Sequence, residues 1–257
     1  MSRKTSQNEI ANRQEFSSSG KTNYFLAYND GIVHASFWLD VVKLHLQSVA
    51  STETESPRIV DAGGGGGRIA QRFKEKFPLA CIELLDINPD MLKFANEVNG
   101  FSEKNIHVSD ITDMKYGGTS IGQGSAIPDS SIDHIISNSV LWFLDEPKLF
   151  FKEANRVLKK GRRLSIASGT PDFQSPEKRS LFIAQIEKDM NLAVSNGFIS
   201  ADTAEIIVSA NKSITANMNS LLTEEQAIQI GESQGLKCIS RAKAYVDMFF
   251  FLVFEKP

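Results

Sequence analysis

The apolar residues of this chain keep two rhythms that take turns. Residues 58–62 are a short apolar run, and five glycines follow at 63–67. Ile69, Ala70, Phe73 and Phe77 then recur at the spacing of one helical face until Pro78. A compact apolar run that gives way to a 3.6-residue period predicts a strand leading into an amphipathic helix. The pattern repeats at once. Residues 80–85 predict a second strand ending at Asp86, and Asn88 with Pro89 makes a good N-cap and first helical position. Met91, Leu92, Ala95 and Val98 are expected to line one side of that helix before Gly100. Third, fourth and fifth strands are expected at 106–109, 132–137 and 163–167. Between the last two, Pro147 opens a helix with Phe150, Phe151, Ala154, Val157 and Leu158 on one face, and Gly161 falls where a C-terminal cap belongs.

Strands alternating with helices imply a parallel sheet covered on both faces. Three stretches stand outside the rhythm. Residues 24–49 are rich in aromatics, with helical periodicity at Phe37, Val41, Val42, Leu44 and Leu46. Residues 171–222 read as mostly helical, an insertion that breaks the strand–helix order. A capping box of Thr223 and Gln226 then starts a helix ending near Gly235, and apolar strands at 237–240 and 245–254 follow. The expected organisation is an N-terminal helical cover over 1–56 and an α/β core over 57–170. A helical lid over 171–222 follows, and the closing helix and strands of the core lie over 223–257. The glycine-rich loop 117–124 has no assigned role.

Composition narrows the function classes. The chain has 257 residues, 41% hydrophobic and 23% charged, with a net charge of −3. Nothing in that balance draws it to a polyanion, so no nucleic-acid partner is expected. The longest apolar run, 249–254, is too short to span a bilayer, and the first residues lack a secretory apolar segment. The two cysteines, Cys81 and Cys238, lie far apart in apolar stretches and read as buried reduced thiols, which suits a cytoplasmic protein. No metal site is expected, and monomer and homodimer stay equally open.

Ligands of open α/β sheets bind beyond the carboxyl ends of the strands, and three acidic or glycine-rich positions fall there. Asp61 leads into Gly63, Gly64, Gly65 and Gly67, where residues without a β-carbon allow a sharp turn and close backbone approach. Asp86, followed by Ile87, lies roughly 20 residues on, the distance at which a carboxylate meets ribose hydroxyls in such folds. Asp110 can accept from an adenine amino group while Ile111 covers a ring face. Asp61 and Asp110 also have a plainer reading, in which each caps a turn. Two other glycine motifs fail. The dinucleotide fingerprint needs a glycine where Arg68 stands, which speaks against a nicotinamide-dependent oxidoreductase. Residues 20–22 lack the preceding strand and first glycine of a phosphate loop.

At this point the chain resembles a known family. Residues 59–67 look like motif I of class I S-adenosylmethionine-dependent methyltransferases, an acid followed by G-x-G-x-G. Residues 85–92 are similar to the second-strand segment whose acid binds ribose, and Ser109, Asp110 and Ile111 to the adenine segment. Residues 127–133 and 137–141 resemble the fourth-strand region of the small-molecule (type 11-like) branch, and 156–162 the turn before strand five. The resemblance implies a Rossmann-like, seven-stranded, mostly parallel sheet with helices on both faces and a reversed hairpin at its edge. It implies S-adenosyl-L-methionine as cofactor, S-adenosyl-L-homocysteine as product and a small-molecule acceptor with an O, N or C nucleophile. It places Asp61 and the glycines at the methionine end of the cofactor, with Ser137 or Asn138 beside it. A non-catalytic binder of the same fold is the alternative, because many relatives carry histidines where this chain has Trp142 and Phe143.

In-line methyl transfer asks the protein to align the nucleophile and exclude water, and a base is needed only for a protonated acceptor. No catalytic residue is assigned; His34 and Tyr28 are the candidates. Tyr24, Tyr28, His34 and Trp142 are candidates for the acceptor wall, with core packing or a surface histidine as the competing reading.

Overall fold

A computed structural model describes residues 28–50, 55–114, 127–218, 220–244 and 247–257. Tyr24 and the loop 117–124 lie outside the described residues. The strand–helix alternation forms as read: β1 (Arg58–Ala62), α2 (Arg68–Lys76), β2 (Cys81–Asp86), α3 (Pro89–Glu97), β3 (Ile106–Val108), β4 (Ile132–Asn138), α4 (Pro147–Val157) and β5 (Leu158–Gly169). Before it comes α1 (Ser36–Ala50). After it come α5 (Pro176–Ser195), α6 (Ala201–Ala216), α7 (Glu224–Ser233), β6 (Lys237–Ala244) and β7 (Phe249–Glu255).

The seven strands form one sheet in the order β3-β2-β1-β4-β5-β7-β6. β1 to β5 run parallel, and β7 pairs antiparallel with both β5 and β6. The order reverses direction at β1 and β4, so a crevice opens between those strands at their carboxyl ends. Because helices cover both faces, the central strands are buried, and every residue of β4 but its last is buried, Asp133, His134 and Ser137 included.

Local chemistry explains several boundaries. Asn88 caps α3 by accepting from the Asp90 N–H at 3.0 Å, with Pro89 in the first turn. Thr223 and Gln226 complete the expected capping box of α7. Gly67 caps α2 in the left-handed region at φ 79°, and a β-carbon there would lie 2.7 Å from the Phe101 ring.

Three expectations are corrected. Gly161 does not cap α4: the helix passes straight into β5 at Leu158. Gly161, at φ 72°, lies inside that strand, where the β4–β5 register shifts between Ile132 and His134. Val98 is exposed, and Phe94 takes the buried place on α3, because Phe94 packs over the glycine loop at Gly66. The cysteines are free but not buried: Cys81 is exposed at the start of β2 and Cys238 is half-buried on the edge strand β6.

The cover and insertion pack onto the sheet through one aromatic cluster. Phe37 of α1, Phe182 of α5, Phe249 of β7 and Phe173 between β5 and α5 have ring centroids 5.0 to 6.3 Å apart. Asp189 of α5 accepts from both the N–H and the hydroxyl of Ser36, at 2.8 and 2.6 Å, and so ties the insertion to the start of α1. Beneath α1 a buried polar chain runs into the sheet. His45 Nδ1 meets Ser165 Oγ at 2.8 Å, and His134 Nε2 meets Ser165 Oγ at 3.0 Å and Ser48 Oγ at 3.3 Å. Burial holds both imidazoles neutral, with pKa values near 3. The Asn138 side chain opposes the shift at His45, and His45 and Arg163 add to it at His134. No described helix is long and apolar enough to cross a membrane.

Candidate active site

The carboxyl ends of β1, β2, β3 and β4 bring Asp61, Asp86, Asp110 and Asn138 to one edge of the sheet. After Ala62 the chain turns across the tip of β2, where the Gly63 and Gly64 N–H groups donate to the Leu85 carbonyl at 2.7 and 3.1 Å. Gly63 has φ 76°, and a β-carbon there would come within 2.4 Å of Val140 Cγ2. Only glycine fits that bend.

Two adjoining cavities open on the glycine turn. The smaller, about 180 Å³, is lined by Asp86, Ile87, Asn88, Ser109, Asp110 and Ile111, with Val140 and Leu144 opposite. The larger, about 260 Å³, takes in Asp61, Gly64, Asn138 and Trp142 from the core, Tyr28 and Phe37 from the N-terminal segment, and Phe182, Asn211 and Met218 from the insertion. Gly63, Gly65, Met91, Ser139 and Phe143 line both. Ser139 stands at φ 61°, an uncommon conformation for a residue with a side chain, at the point where the cavities meet.

Both carboxylates at the glycine turn are set by their surroundings. Asp86 Oδ2 accepts from the Gly65 N–H at 2.9 Å and Oδ1 from the Asn88 N–H at 2.8 Å. Burial raises its pKa while these N–H groups oppose the rise. Asp61 is 2% exposed, and its Oδ2 has no hydrogen-bond partner among the described residues. Burial first, and the Asp86 charge second, lift its carboxyl to about 7. A buried carboxylate oxygen left without a donor fits a ligand that brings a cation or N–H to it. Asp110 serves its own turn as well, accepting at Oδ1 from the Thr112 N–H at 2.9 Å and hydroxyl at 2.6 Å.

Most of the residues singled out in the sequence therefore meet here, and some do not. Ser137 is buried behind the wall, donating to the Ala62 carbonyl at 3.1 Å, and Gly67 caps α2; neither lines a cavity. His34 is also absent from both linings, because its ring stacks on Phe198 with centroids 5.2 Å apart. Sequence reasoning missed Arg68, whose Nε donates to the Asn29 carbonyl at 2.8 Å and anchors the N-terminal segment to the glycine turn. Asn99 does the same, donating to the Gly66 carbonyl at 2.6 Å and to Asn29 Oδ1 at 3.0 Å. It also missed Asn211 and Met218. Arg68 stood one place after the glycines and was readable there; nothing local marks a lone polar residue inside an amphipathic helix as a cavity wall.

Seven strands in this order, with a glycine-bent crevice and acids at neighbouring tips, define a Rossmann-like α/β domain. The model of the methyltransferase domain family matches residues 53–233, and the chain belongs to that family. A malonyl-[acyl-carrier protein] O-methyltransferase of Hahella chejuensis is 30% identical over 106 residues, 41% of this chain and 34% of that protein. Malonyl-[acyl-carrier protein] O-methyltransferase 1 of Ilyobacter polytropus is 26% identical over 161 residues, 62% of this chain and 53% of its own length. The matches thus span between a third and about half of these curated relatives. The solved magnesium protoporphyrin IX methyltransferase of Synechocystis PCC 6803, with bound S-adenosylmethionine, shares the fold at a TM-score of 0.58. It is 14% identical, with 99% of this chain and 98% of that one covered.

Proposed function

We propose that this protein transfers a methyl group from S-adenosylmethionine to a small-molecule acceptor held in the larger cavity. The observation that carries the reading is the pair of cavities joined at the glycine turn, one sized for a nucleoside and walled by acids, the other apolar. When bound, S-adenosylmethionine supplies a sulfonium methyl open to in-line attack. Asp86 would hold the ribose hydroxyls through charge-assisted bonds, and Asp110 with Ile111 the adenine. The glycine turn and Asp61 would hold the amino-acid end, with Asp61 meeting its ammonium group, and Asn138 would stand beside it. The N-terminal segment and the insertion act as one lid over the acceptor, tied together at Ser36 and Asp189. Their task is to align the nucleophile and exclude water.

The curated relatives act on malonyl-[acyl-carrier protein], a substrate with a carboxylate. The described wall here offers such a group the Trp142 indole N–H but no uncommitted cation. Its one cation is Arg68, whose Nη1 donates to Gln71 at 2.8 Å and whose Nη2 lies 3.6 Å from Asp30, with Nε on Asn29.

The test has two parts. Methyl transfer from isotope-labelled S-adenosylmethionine to a metabolite of a cell extract is expected, and a purely binding protein would transfer nothing. Asp86→Ala is expected to weaken S-adenosylhomocysteine binding at least about tenfold in calorimetry, since charge-assisted bonds contribute roughly 1.5 to 3 kcal/mol. An unchanged dissociation constant would show that the nucleoside pocket lies elsewhere.

A further inference from the structure

The larger cavity carries polar groups that the cofactor reading leaves unused, Asn211 foremost. Asn211 of α6 lines it and is 4% exposed. Its Nδ2 donates to the Ile207 carbonyl one turn back, at 2.9 Å. A carbonyl can only accept, so this bond settles which way the amide points: the nitrogen is spent on the helix and Oδ1 is left for the cavity. No hydrogen bond to that oxygen is made by the described residues. The neighbouring hydroxyl cannot supply one, because Thr215 Oγ1 already donates to the Asn211 main-chain carbonyl at 2.7 Å. The same cavity is lined by Phe37, Phe182, Ile214, Met218 and Phe249, with Thr215 the polar residue one turn along α6. Trp142, 4% exposed in the same wall, has an indole N–H without an acceptor among the described residues. An amide oxygen fixed as an acceptor incurs a desolvation penalty when an occupant displaces water from the cavity without bringing a donor to it.

We propose that Asn211 determines which acceptor this cavity takes: its Oδ1 receives a hydrogen bond from a neutral hydroxyl or N–H group on an uncharged, otherwise apolar molecule. The assignment rests on the methyl-transfer reading of the same cavity. A carboxylate is turned away on two counts: it sets its oxygens against the Asn211 oxygen, and the single described cation of the wall, Arg68, is already engaged. A hydrocarbon of the same shape leaves Oδ1 without a donor. A site built around a polar partner discriminates most strongly against the analogue that lacks it.

The experiment uses the full chain saturated with S-adenosylhomocysteine and three probes of one shape, 2-naphthol, naphthalene and 2-naphthoate, titrated in calorimetry. The expected order places 2-naphthol about tenfold tighter than naphthalene, with 2-naphthoate weakest. In Asn211→Leu, which keeps the side chain's size, the preference for 2-naphthol over naphthalene is expected to vanish while S-adenosylhomocysteine affinity holds. Asn211→Ala, checked for an intact circular dichroism spectrum, serves if the leucine variant does not fold. Equal affinity for the hydroxyl and hydrocarbon probes, saturable binding of neither, a preference for 2-naphthoate, or a 2-naphthol preference that survives in the variants would overturn the assignment. All four leave the cofactor reading intact. Failure of S-adenosylhomocysteine itself to bind would overturn that reading and the assignment with it.

Discussion

The two cavities are built in opposite ways. The smaller is made where the chain passes from strand to turn, so its chemistry comes from acids at neighbouring strand tips, with Asp86 fixed there by the main-chain N–H groups of Gly65 and Asn88. The larger is assembled from side chains far apart in sequence: Phe37 and Tyr28, Trp142, Phe182, Asn211 and Phe249. A pocket made of backbone tolerates little change, because its groups move only if the sheet moves. A pocket made of side chains on added helices can change its occupant while the sheet stays constant. One fold can therefore keep its cofactor and vary its acceptor.

That contrast is easiest to break at the glycine turn. Gly63→Ala forces an L-residue to φ 76° and drives its β-carbon into Val140. Left-handed strain of roughly 1–2 kcal/mol together with overpacking of about 1–3 kcal/mol predicts a loss of S-adenosylhomocysteine affinity on the order of a hundredfold. Calorimetry on a folded variant checks it, and an alanine bound as well as glycine would show that the backbone is not the cofactor's cradle.

The buried polar chain beneath α1 is expected to respond to acid. His134 is neutral when folded, near pKa 3, and ordinary when unfolded, near 6.5. As pH falls from 6.5 toward 3 the unfolded chain takes the proton first, so stability present above pH 6.5 is progressively lost. His134→Gln cannot protonate and escapes that loss. The stability of wild type relative to the variant should fall by about 1.4 kcal/mol per pH unit between pH 6 and 4. Denaturant melts at several pH values measure it, and parallel curves would deny the histidine a buried neutral state.

The pH dependence of cofactor affinity separates the two cavities more finely. Asp61 is raised to about 7, and pairing with an ammonium group requires its ionised form. Affinity for S-adenosylhomocysteine should therefore climb roughly fivefold to tenfold from pH 6 to 7.5. Asp61→Asn should bind more weakly and show a flat profile. A wild-type profile that is already flat would remove Asp61 from the amino-acid end.

The same contrast explains what could be read in the sequence. Asp61, the glycines, Asp86 and Asp110 were legible because each sits at a strand end, and strand ends follow from a local change of hydrophobic period. The helical insertion was legible as helix for the same reason. It was also expected to act as an acceptor lid, but the residues with which it walls the cavity were not legible, since Asn211 and Met218 acquire meaning only once the insertion packs beside the glycine turn and α1. Gly161 was misread because a glycine after a helix is usually its cap, whereas here the β4–β5 pairing recruits the residues around it into a strand. Val98 and Phe94 exchanged places because the surface available to α3 is the glycine turn, not the sheet alone. His34 was drawn toward the site as part of the N-terminal cover, while the aromatic contact with Phe198 decided its place.

A crystal structure of the protein with S-adenosylhomocysteine tests the division of labour most directly. The account predicts adenine and ribose in the smaller cavity against Asp110 and Asp86, the amino-acid end beside Asp61, and the space around Asn211 left open for an acceptor. A nucleoside seated against Asn211 and Phe182, or a smaller cavity closed by side chains, would contradict it.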